Sequence, residues 1–227
     1  MSQRTIKKKG VEELLFEKTK QFGAPLEKNK NGEYKIPSGE LIMTSTNSDF
    51  FVNEADGWRE ACWKTIKKRS DCMFMVRTRR IERFYDCIPG DWQMGYDNVI
   101  MACVVENQKA ADERLPIFAE LPVKHKMILC QPLLELIDLE PYLSDVEAVI
   151  VIGESAKNAR PLEFDWLPDI RWQCINTTTD FIFRKCGTHF VKDGRTYNLA
   201  VRDQEGHARK VNIDYYAERE VHNFVVL

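Results

Sequence analysis

Residues 98–105 read Asn-Val-Ile-Met-Ala-Cys-Val-Val, a run that is apolar at almost every position. Such a run is typical of a strand that is covered on both faces, as strands of parallel sheets are. Five further runs rich in Val, Ile, Met and Phe have the same character. Successive runs begin about 30 residues apart, the length of a strand–helix–strand unit. The five runs are 40–45, 72–78, 126–131, 148–153 and 180–185.

The segments between these runs are predicted to be helical. The segment 107–121 is rich in alanine and ends before Pro122, which cannot continue a helix. Another helix is predicted to start at Asp165. In the segment 56–69, the helical period puts four residues on one face, namely Trp58, Ala61, Cys62 and Ile66.

The two ends of the chain depart from this alternation. Val11, Leu14, Leu15 and Phe22 predict a short amphipathic N-terminal helix. Asn31-Gly32 and Asp193-Gly194 are hairpin turn signals, because both dipeptides accept positive φ. The expected fold is therefore α/β. We predict either an open doubly wound sheet or a partial (β/α) barrel of about six mostly parallel strands, with a short N-terminal helix and a C-terminal hairpin. Residues 1–227 are expected to form a single domain.

Composition excludes several classes of protein. A hydrophobic content of 44% with five tryptophans excludes intrinsic disorder. The 33 Lys and Arg residues against 35 Asp and Glu exclude a chain that is basic throughout. No apolar run is long enough for a membrane span, and the first residues lack the apolar core of a secretory signal. The seven cysteines are odd in number and widely spaced, which favours reduced thiols in the cytoplasm.

A ligand site is predicted where the strands end, because ligands of parallel α/β folds bind at the carboxyl ends of the strands. The residues there carry both signs of charge, which favours a small polar or anionic ligand. The simpler alternative is that polar residues follow strands because loops are exposed. The candidate ligand-binding residues are Asp49, Thr78, Arg79, Glu106, Gln108, Gln131, Gly153, Glu154, Ser155, Arg160 and Lys185.

Other motifs give weaker signals. Arg77, Arg79, Arg80 and Arg83 form a basic cluster that could hold phosphate or carboxylate, or could be solvated surface. Gly153-Glu154-Ser155 is not a nucleophile elbow, since it lacks the G-x-S-x-G arrangement. The four histidines show no metal-ligand spacing. The sequence therefore predicts no metal site, and it identifies no catalytic residue.

A series of short motifs resembles a widespread phage- and prophage-encoded family of unknown role, which is itself similar to radical SAM enzymes. The resemblance covers about residues 10 to 213, and it depends on the order and spacing of the motifs. They are Asp49-Phe50-Phe51, Trp58-Arg59, Thr78-Arg79-Arg80-Ile81, Val105-Glu106-Asn107-Gln108, Pro132-Leu133-Leu134-Glu135, Gly153-Glu154-Ser155, Ala159-Arg160, Asp165-Trp166, Gln173-Cys174 and Lys185-Cys186-Gly187.

The resemblance implies a partial barrel whose three-cysteine motif holds a [4Fe-4S] cluster that cleaves S-adenosylmethionine. No cysteine precedes Cys62 here, so we expect the motif and the first strand to be missing, by true loss, a split gene or a misassigned start. The family pattern also has Glu in place of Gln131, Lys in place of Arg79 and Gly in place of Ile152. We therefore expect no cofactor in this chain alone. S-adenosylmethionine is an expected ligand, and the cluster is expected only if a cysteine segment is supplied.

Two functions follow from these observations. The first is a truncated or divergent radical-SAM-like protein that is inactive in radical chemistry without a cysteine-bearing segment. The second is a non-catalytic barrel that binds nucleic acid, a nucleotide or a protein, motivated by the Arg77–Arg83 cluster and Lys7-Lys8-Lys9. A missing first strand would also leave a sheet edge exposed, which a partner chain could cover.

Overall fold

The computed structural model describes residues 2–8, 11–17, 20–45 and 48–218. The strands within these residues are β1 Ser2–Lys8, β2 Val11–Glu17, β3 Leu41–Met43, β4 Met73–Thr78, β5 Val99–Val105, β6 His125–Cys130, β7 Ala148–Ile152, β8 Leu162–Glu163, β9 Asp180–Lys185, β10 His189–Lys192 and β11 Arg195–Asn198. The α-helices are α1 Asp56–Lys68, α2 Phe84–Cys87, α3 Gln108–Ala119, α4 Trp166–Asn176 and α5 Gln204–Val211. Short 3-10 helices span Lys20–Leu26, Asn53–Ala55, Ile81–Arg83 and Glu140–Tyr142.

The fold is α/β and is built on a curled half-barrel sheet of six parallel strands. The strand order is β3-β4-β5-β6-β7-β9, which is the order along the chain. All six strands lie where the apolar runs predict them, so that prediction is confirmed. All seven residues of β5 are buried, as expected for a strand covered on both faces.

The described backbone divides into two compact units. The first comprises Met1–Ala102 and Leu121–His125, and the second comprises Cys103–Glu120 and Lys126–Leu227. The expectation of a single domain over 1–227 stays a prediction.

An aromatic cluster forms much of the core of the first unit. The Trp63 ring lies 5.2 Å from that of Phe50 and 5.3 Å from that of Trp92, both edge to face. Edge-to-face contacts match the positive edge of one ring to the negative face of the next. The Trp63 indole N–H also donates to the Cys87 carbonyl at 2.8 Å, so this large side chain is buried without an unpaired donor.

A buried arginine secures the segment before β3 in the same unit. Arg69 has none of its surface exposed, and its guanidinium donates to the carbonyls of Pro25 and Ile36 and to the Asp71 carboxylate. It also stacks on the Tyr34 ring at 4.2 Å. A fully buried charge is tolerated only when it is paired and hydrogen-bonded, and Arg69 meets both conditions.

In the second unit, α4 and α5 pack on β9, and a small sheet of order β11-β10-β8 is also present. Asn107 caps α3, because its side chain accepts from the Ala110 N–H at 2.9 Å. The predicted C-terminal hairpin is β10–β11, where Asp193 and Gly194 have φ of 52° and 69°. This is the geometry of a tight two-residue turn.

Two sequence predictions are wrong. Residues 11–17 form strand β2 paired with β1, not a helix, and the helical segment that follows is the 3-10 turn Lys20–Leu26. The predicted inner face of α1 is also wrong in part. Ile66 is buried as expected, but the helix buries Arg59 and Trp63 as well, and Ala61 is exposed. Arg59 faces inward since its guanidinium donates to the carbonyls of Phe50 and Val52, a pairing that hydrophobic periodicity does not reveal.

Candidate functional site

In the first unit, the predicted site residues at the ends of β3 and β4 bind one another. The Asp49 carboxylate accepts from the Thr78 hydroxyl at 2.8 Å and from the backbone N–H groups of Phe51 at 2.8 Å and Arg79 at 2.7 Å. Arg80 Nη1 lies 3.2 Å from the same carboxylate. Asp49 and Thr78 are both buried, so this arrangement joins the two strand exits to each other.

The basic cluster that follows β4 is partly neutralised by acids. Arg80 pairs with Asp49, and Arg83 pairs with Asp56 at 3.0 Å. Burial lowers the pKa of Arg77, and the neighbouring charge of Arg79 lowers it further. The Asp49 charge acts in the opposite direction and favours the charged form of Arg77.

In the second unit, four neighbouring strands each deliver a polar residue to their carboxyl ends. Glu106 follows β5, Gln131 follows β6, Glu154 comes two residues after β7, and Lys185 ends β9. Because these strands are parallel neighbours, the four residues lie along one edge of the sheet. We call this edge the second-unit rim and include Arg160 in it.

The Glu154–Arg160 pair is the best-defined element of the rim. Glu154 accepts from Arg160 three times, from the backbone N–H at 2.7 Å, from Nε at 2.9 Å and from Nη2 at 3.0 Å. Hydrogen bonds from Arg160 hold the pKa of the Glu154 carboxyl below its usual range. The bond to Glu154 raises the pKa of Arg160, burial opposes this, and the charges of Glu154 and Glu106 add to it. The Arg160 side chain is 58% exposed, so the pair faces solvent.

Two other rim residues also have charged neighbours. Glu106 accepts from Arg114 Nη1 at 2.8 Å, and Lys185 Nζ lies 3.9 Å from Glu205. Gln131 is half-buried, and its backbone N–H donates to the Val105 carbonyl at 3.2 Å. The rim therefore holds two carboxylates and two cations, all within the second unit and at or after the carboxyl ends of parallel strands.

The two glycines at this edge serve backbone packing. A Cβ on Gly153 would lie 2.3 Å from the Cys186 carbonyl oxygen. A Cβ on Gly187 would lie 2.8 Å from the Glu154 backbone, and Gly187 also has a φ of 81°. Because neither residue has a Cβ, the segments that leave β7 and β9 can touch. The group that approaches Gly153 closely is therefore the backbone of Cys186 and Gly187.

Sequence reasoning missed Gln204, the residue that joins these two segments. Its buried side chain accepts from the Ser155 hydroxyl at 2.5 Å and donates to the Leu199 carbonyl at 3.2 Å and the Thr188 hydroxyl at 3.4 Å. Ser155 is therefore held by Gln204, which lies 49 positions further along the chain. No local pattern signals such a contact.

Gln108, another predicted site residue, is used within α3 and the loop beside it. Its side chain donates to Asp112 at 2.8 Å and accepts from the Asp138 backbone N–H at 2.7 Å. Its own backbone N–H donates to Glu135 at 2.7 Å. These bonds anchor the start of the helix.

A cavity of about 480 Å³ lies in the first unit, between α1 and the segment 86–91. It lies outside the predicted site. Its wall includes Trp63 and the charged residues Glu60, Lys64 and Asp86.

The cysteines that the structure describes do not fit an iron–sulfur cluster. Burial raises the pKa of Cys174 and of Cys186 to about 12, and burial likewise raises the pKa of Cys130. An iron–sulfur cluster needs several cysteine thiolates that meet at one place. Within the described ranges, no three His, Cys, Asp or Glu residues are grouped so that they could hold a metal ion. None of the described helices is long and apolar enough to cross a membrane.

Comparison with known proteins identifies a family but no activity. No curated protein and no solved structure matches the chain. The family described as "Protein of unknown function (DUF5131)" matches residues 1–219, which is nearly the whole sequence. The chain therefore belongs to the DUF5131 family.

Proposed function

We propose that the chain binds S-adenosylmethionine at the second-unit rim, as a radical-SAM-like half-barrel of the phage- and prophage-encoded type. The observation that carries this proposal is the set Glu106, Gln131, Glu154 and Lys185 at the ends of four neighbouring parallel strands, with Arg160 bonded to Glu154. S-adenosylmethionine carries a carboxylate, an ammonium, a sulfonium and ribose hydroxyls. A rim with both signs of charge complements such a ligand.

Three rim residues suit particular groups of this ligand. The exposed Arg160 guanidinium suits the ligand carboxylate, since its fork of N–H donors binds carboxylates in a bidentate way. Glu106 and Glu154 suit the ammonium and the hydroxyls as acceptors. Bound S-adenosylmethionine supplies an activated sulfonium group. No cluster chemistry is assigned to the described residues, because no three His, Cys, Asp or Glu residues among them are grouped so that they could hold a metal ion.

Apolar side chains accompany the polar rim. The register pairs Leu129 with Ile150 and Ile150 with Ile182, so these three residues share one face of the sheet. Ile182 is half-buried on that face. An apolar face beside convergent polar groups is the usual composition of a small-molecule site.

The proposed compartment is the cytoplasm. All seven cysteines lie within the described residues and none of them forms a disulfide, which supports a reducing environment.

We also propose that a partner chain covers the edge strand β3. In the part of the chain that the structure describes, β3 is the first strand of the six-stranded sheet and has three residues. An open edge invites pairing with another strand. Size-exclusion chromatography with light scattering tests this proposal by measuring the mass of the particle. We expect a mass above that of one chain, and a monomer with no co-purified chain would contradict the proposal.

Isothermal titration of the purified chain with S-adenosylmethionine tests the proposed ligand. Glu154→Gln and Arg160→Gln should each weaken binding about ten- to hundredfold, since each removes a charge-assisted hydrogen bond of about 1.5–3 kcal/mol. The matched controls are Glu113→Gln and Lys109→Gln, an exposed ion pair of the same unit on α3, which should change nothing. Equal effects of rim and control variants, or no binding by the wild type, would contradict the proposal.

A further inference from the structure

Positive charge is concentrated late in the chain, in a stretch of which the proposed ligand site uses only Lys185. From Arg184 to Lys210 there are seven lysine and arginine residues against three acids, a net charge of +4, while the whole chain carries −2. Two of the three acids are already paired. Asp203 lies 3.8 Å from Arg202, and Glu205 lies 3.8 Å from Arg184.

The hairpin β10–β11 presents part of this charge next to aromatic rings. The register pairs Phe190 with Tyr197 and Lys192 with Arg195. Directly opposed residues, and those two positions apart, lie on the same face of a sheet, so these four residues share one face. Phe190 lies at the end of this face that is away from the turn, and it is buried. Its ring centre lies 6.3 Å from that of Phe164.

Toward the turn the same face is open to solvent. Tyr197 is 44% exposed, Arg195 is exposed, and Lys192 Nζ lies 4.6 Å from the centre of the Phe164 ring. Rings and cations therefore alternate along this face. We call Phe164, Lys192, Arg195 and Tyr197 the hairpin surface.

Acidic side chains do not cancel the charge of the hairpin surface. Neither Lys192 nor Arg195 forms an ion pair with a carboxylate among the described residues. Glu163 is paired in register with Val191. The Glu163 side chain therefore lies on the face of the small sheet opposite to Lys192 and Arg195. Within the hairpin the acid is Asp193, which lies in the turn itself.

The base of the hairpin is held firmly. Gln204, the first residue of α5, donates to Leu199 just after β11 and to Thr188 just before β10. The Leu199 N–H also donates to the Thr188 carbonyl at 2.8 Å. A rigid base lets a binding surface form without ordering cost.

We propose that the hairpin surface binds single-stranded nucleic acid, with Tyr197 stacking on a base and Lys192 and Arg195 contacting phosphates. Every base has a π-face, so a ring flanked by cations binds single strands without reading sequence. This proposal is independent of the ligand proposed for the rim.

Fluorescence anisotropy with a labelled oligothymidine of about 12 nucleotides, within the usual site size of such surfaces, tests the proposal on the full chain. Each phosphate contact contributes about −0.7 to the slope of log Kobs against log salt for single strands. The double variant Lys192→Gln/Arg195→Gln should therefore make the slope shallower by about 1.4 and weaken binding at low salt. Tyr197→Leu should weaken binding about tenfold and leave the slope unchanged, because it removes stacking and no charge.

The control is Lys64→Gln/Lys109→Gln, which removes two exposed positive charges elsewhere. It should bind the oligonucleotide as the wild type does, and unchanged thermal unfolding should show that all variants are folded. An equal loss in the control, equal binding of a duplex, or equal binding of polyglutamate would overturn the proposal. Absence of binding at low salt would overturn it as well.

Discussion

Replacing Asp49 by asparagine separates a structural role of this residue from a ligand-binding role. Its carboxylate is buried and accepts from Thr78, Phe51 and Arg79 at 2.7 to 2.8 Å. The amide of asparagine keeps one acceptor oxygen and turns an NH2 group toward donors that already point inward. At least one buried donor is then left without a partner.

The expected loss follows from these contacts. An unsatisfied buried donor costs about 1–3 kcal/mol, and the remaining bonds lose their charge assistance. The Arg80 ion pair adds little, because its side chain is 42% exposed. We therefore expect Asp49→Asn to lower the free energy of unfolding by about 3 kcal/mol. For a chain of this size, that lowers Tm by about 6–12 °C.

Thermal unfolding followed by circular dichroism measures this change. Asp203→Asn is the control, because Asp203 is half exposed and 3.8 Å from its partner, and it should change stability by less than about 0.5 kcal/mol. If Asp49→Asn left Tm unchanged but abolished S-adenosylmethionine binding, Asp49 would be a ligand residue and our interpretation of its contacts would be wrong.

Three further predictions concern packing and thiol chemistry. Gly187→Ala should cost at least about 3 kcal/mol in urea unfolding, whereas Gly194→Ala, with a similar φ and open space around it, should cost about 1–2 kcal/mol; equal costs would contradict the packing argument. Arg69→Met should cost about 3–5 kcal/mol by the same assay, because it takes the arginine donor from two carbonyls and the paired cation from the Asp71 carboxylate; a loss below about 1 kcal/mol would refute this. With a thiol reagent at pH 8, half-buried Cys62 should react in the folded protein while Cys186, whose pKa burial raises to about 12, should not; ready labelling of Cys186 would show that it is not buried as described.

The sheet could be predicted from sequence because its strands are unusually uniform. Val99–Val105 and Ala148–Ile152 are apolar throughout. A strand that is covered on both faces buries every side chain, so each position has to be apolar. The first residues could not be assigned in the same way. Val11–Glu17 is short, and an apolar pattern of that length fits a helical period and a strand period alike.

The candidate site was predictable in position but not in its contacts. The strand-end rule places Glu106 and Glu154 at the edge where the structure has them. It does not reveal that Glu154 is held by Arg160, or that Asp49 is fully occupied by its neighbours. Gln204 was missed because its contacts are long-range, and an isolated glutamine carries no pattern.

Hydrogen exchange of the full chain, with and without S-adenosylmethionine, tests the central claim most directly, because it reports where the ligand binds. We expect slower exchange in peptides that cover the second-unit rim, around Glu106, Gln131, 153–160 and Lys185. Protection that is confined to the Arg77–Arg83 segment, or no protection at saturating ligand, would contradict the account.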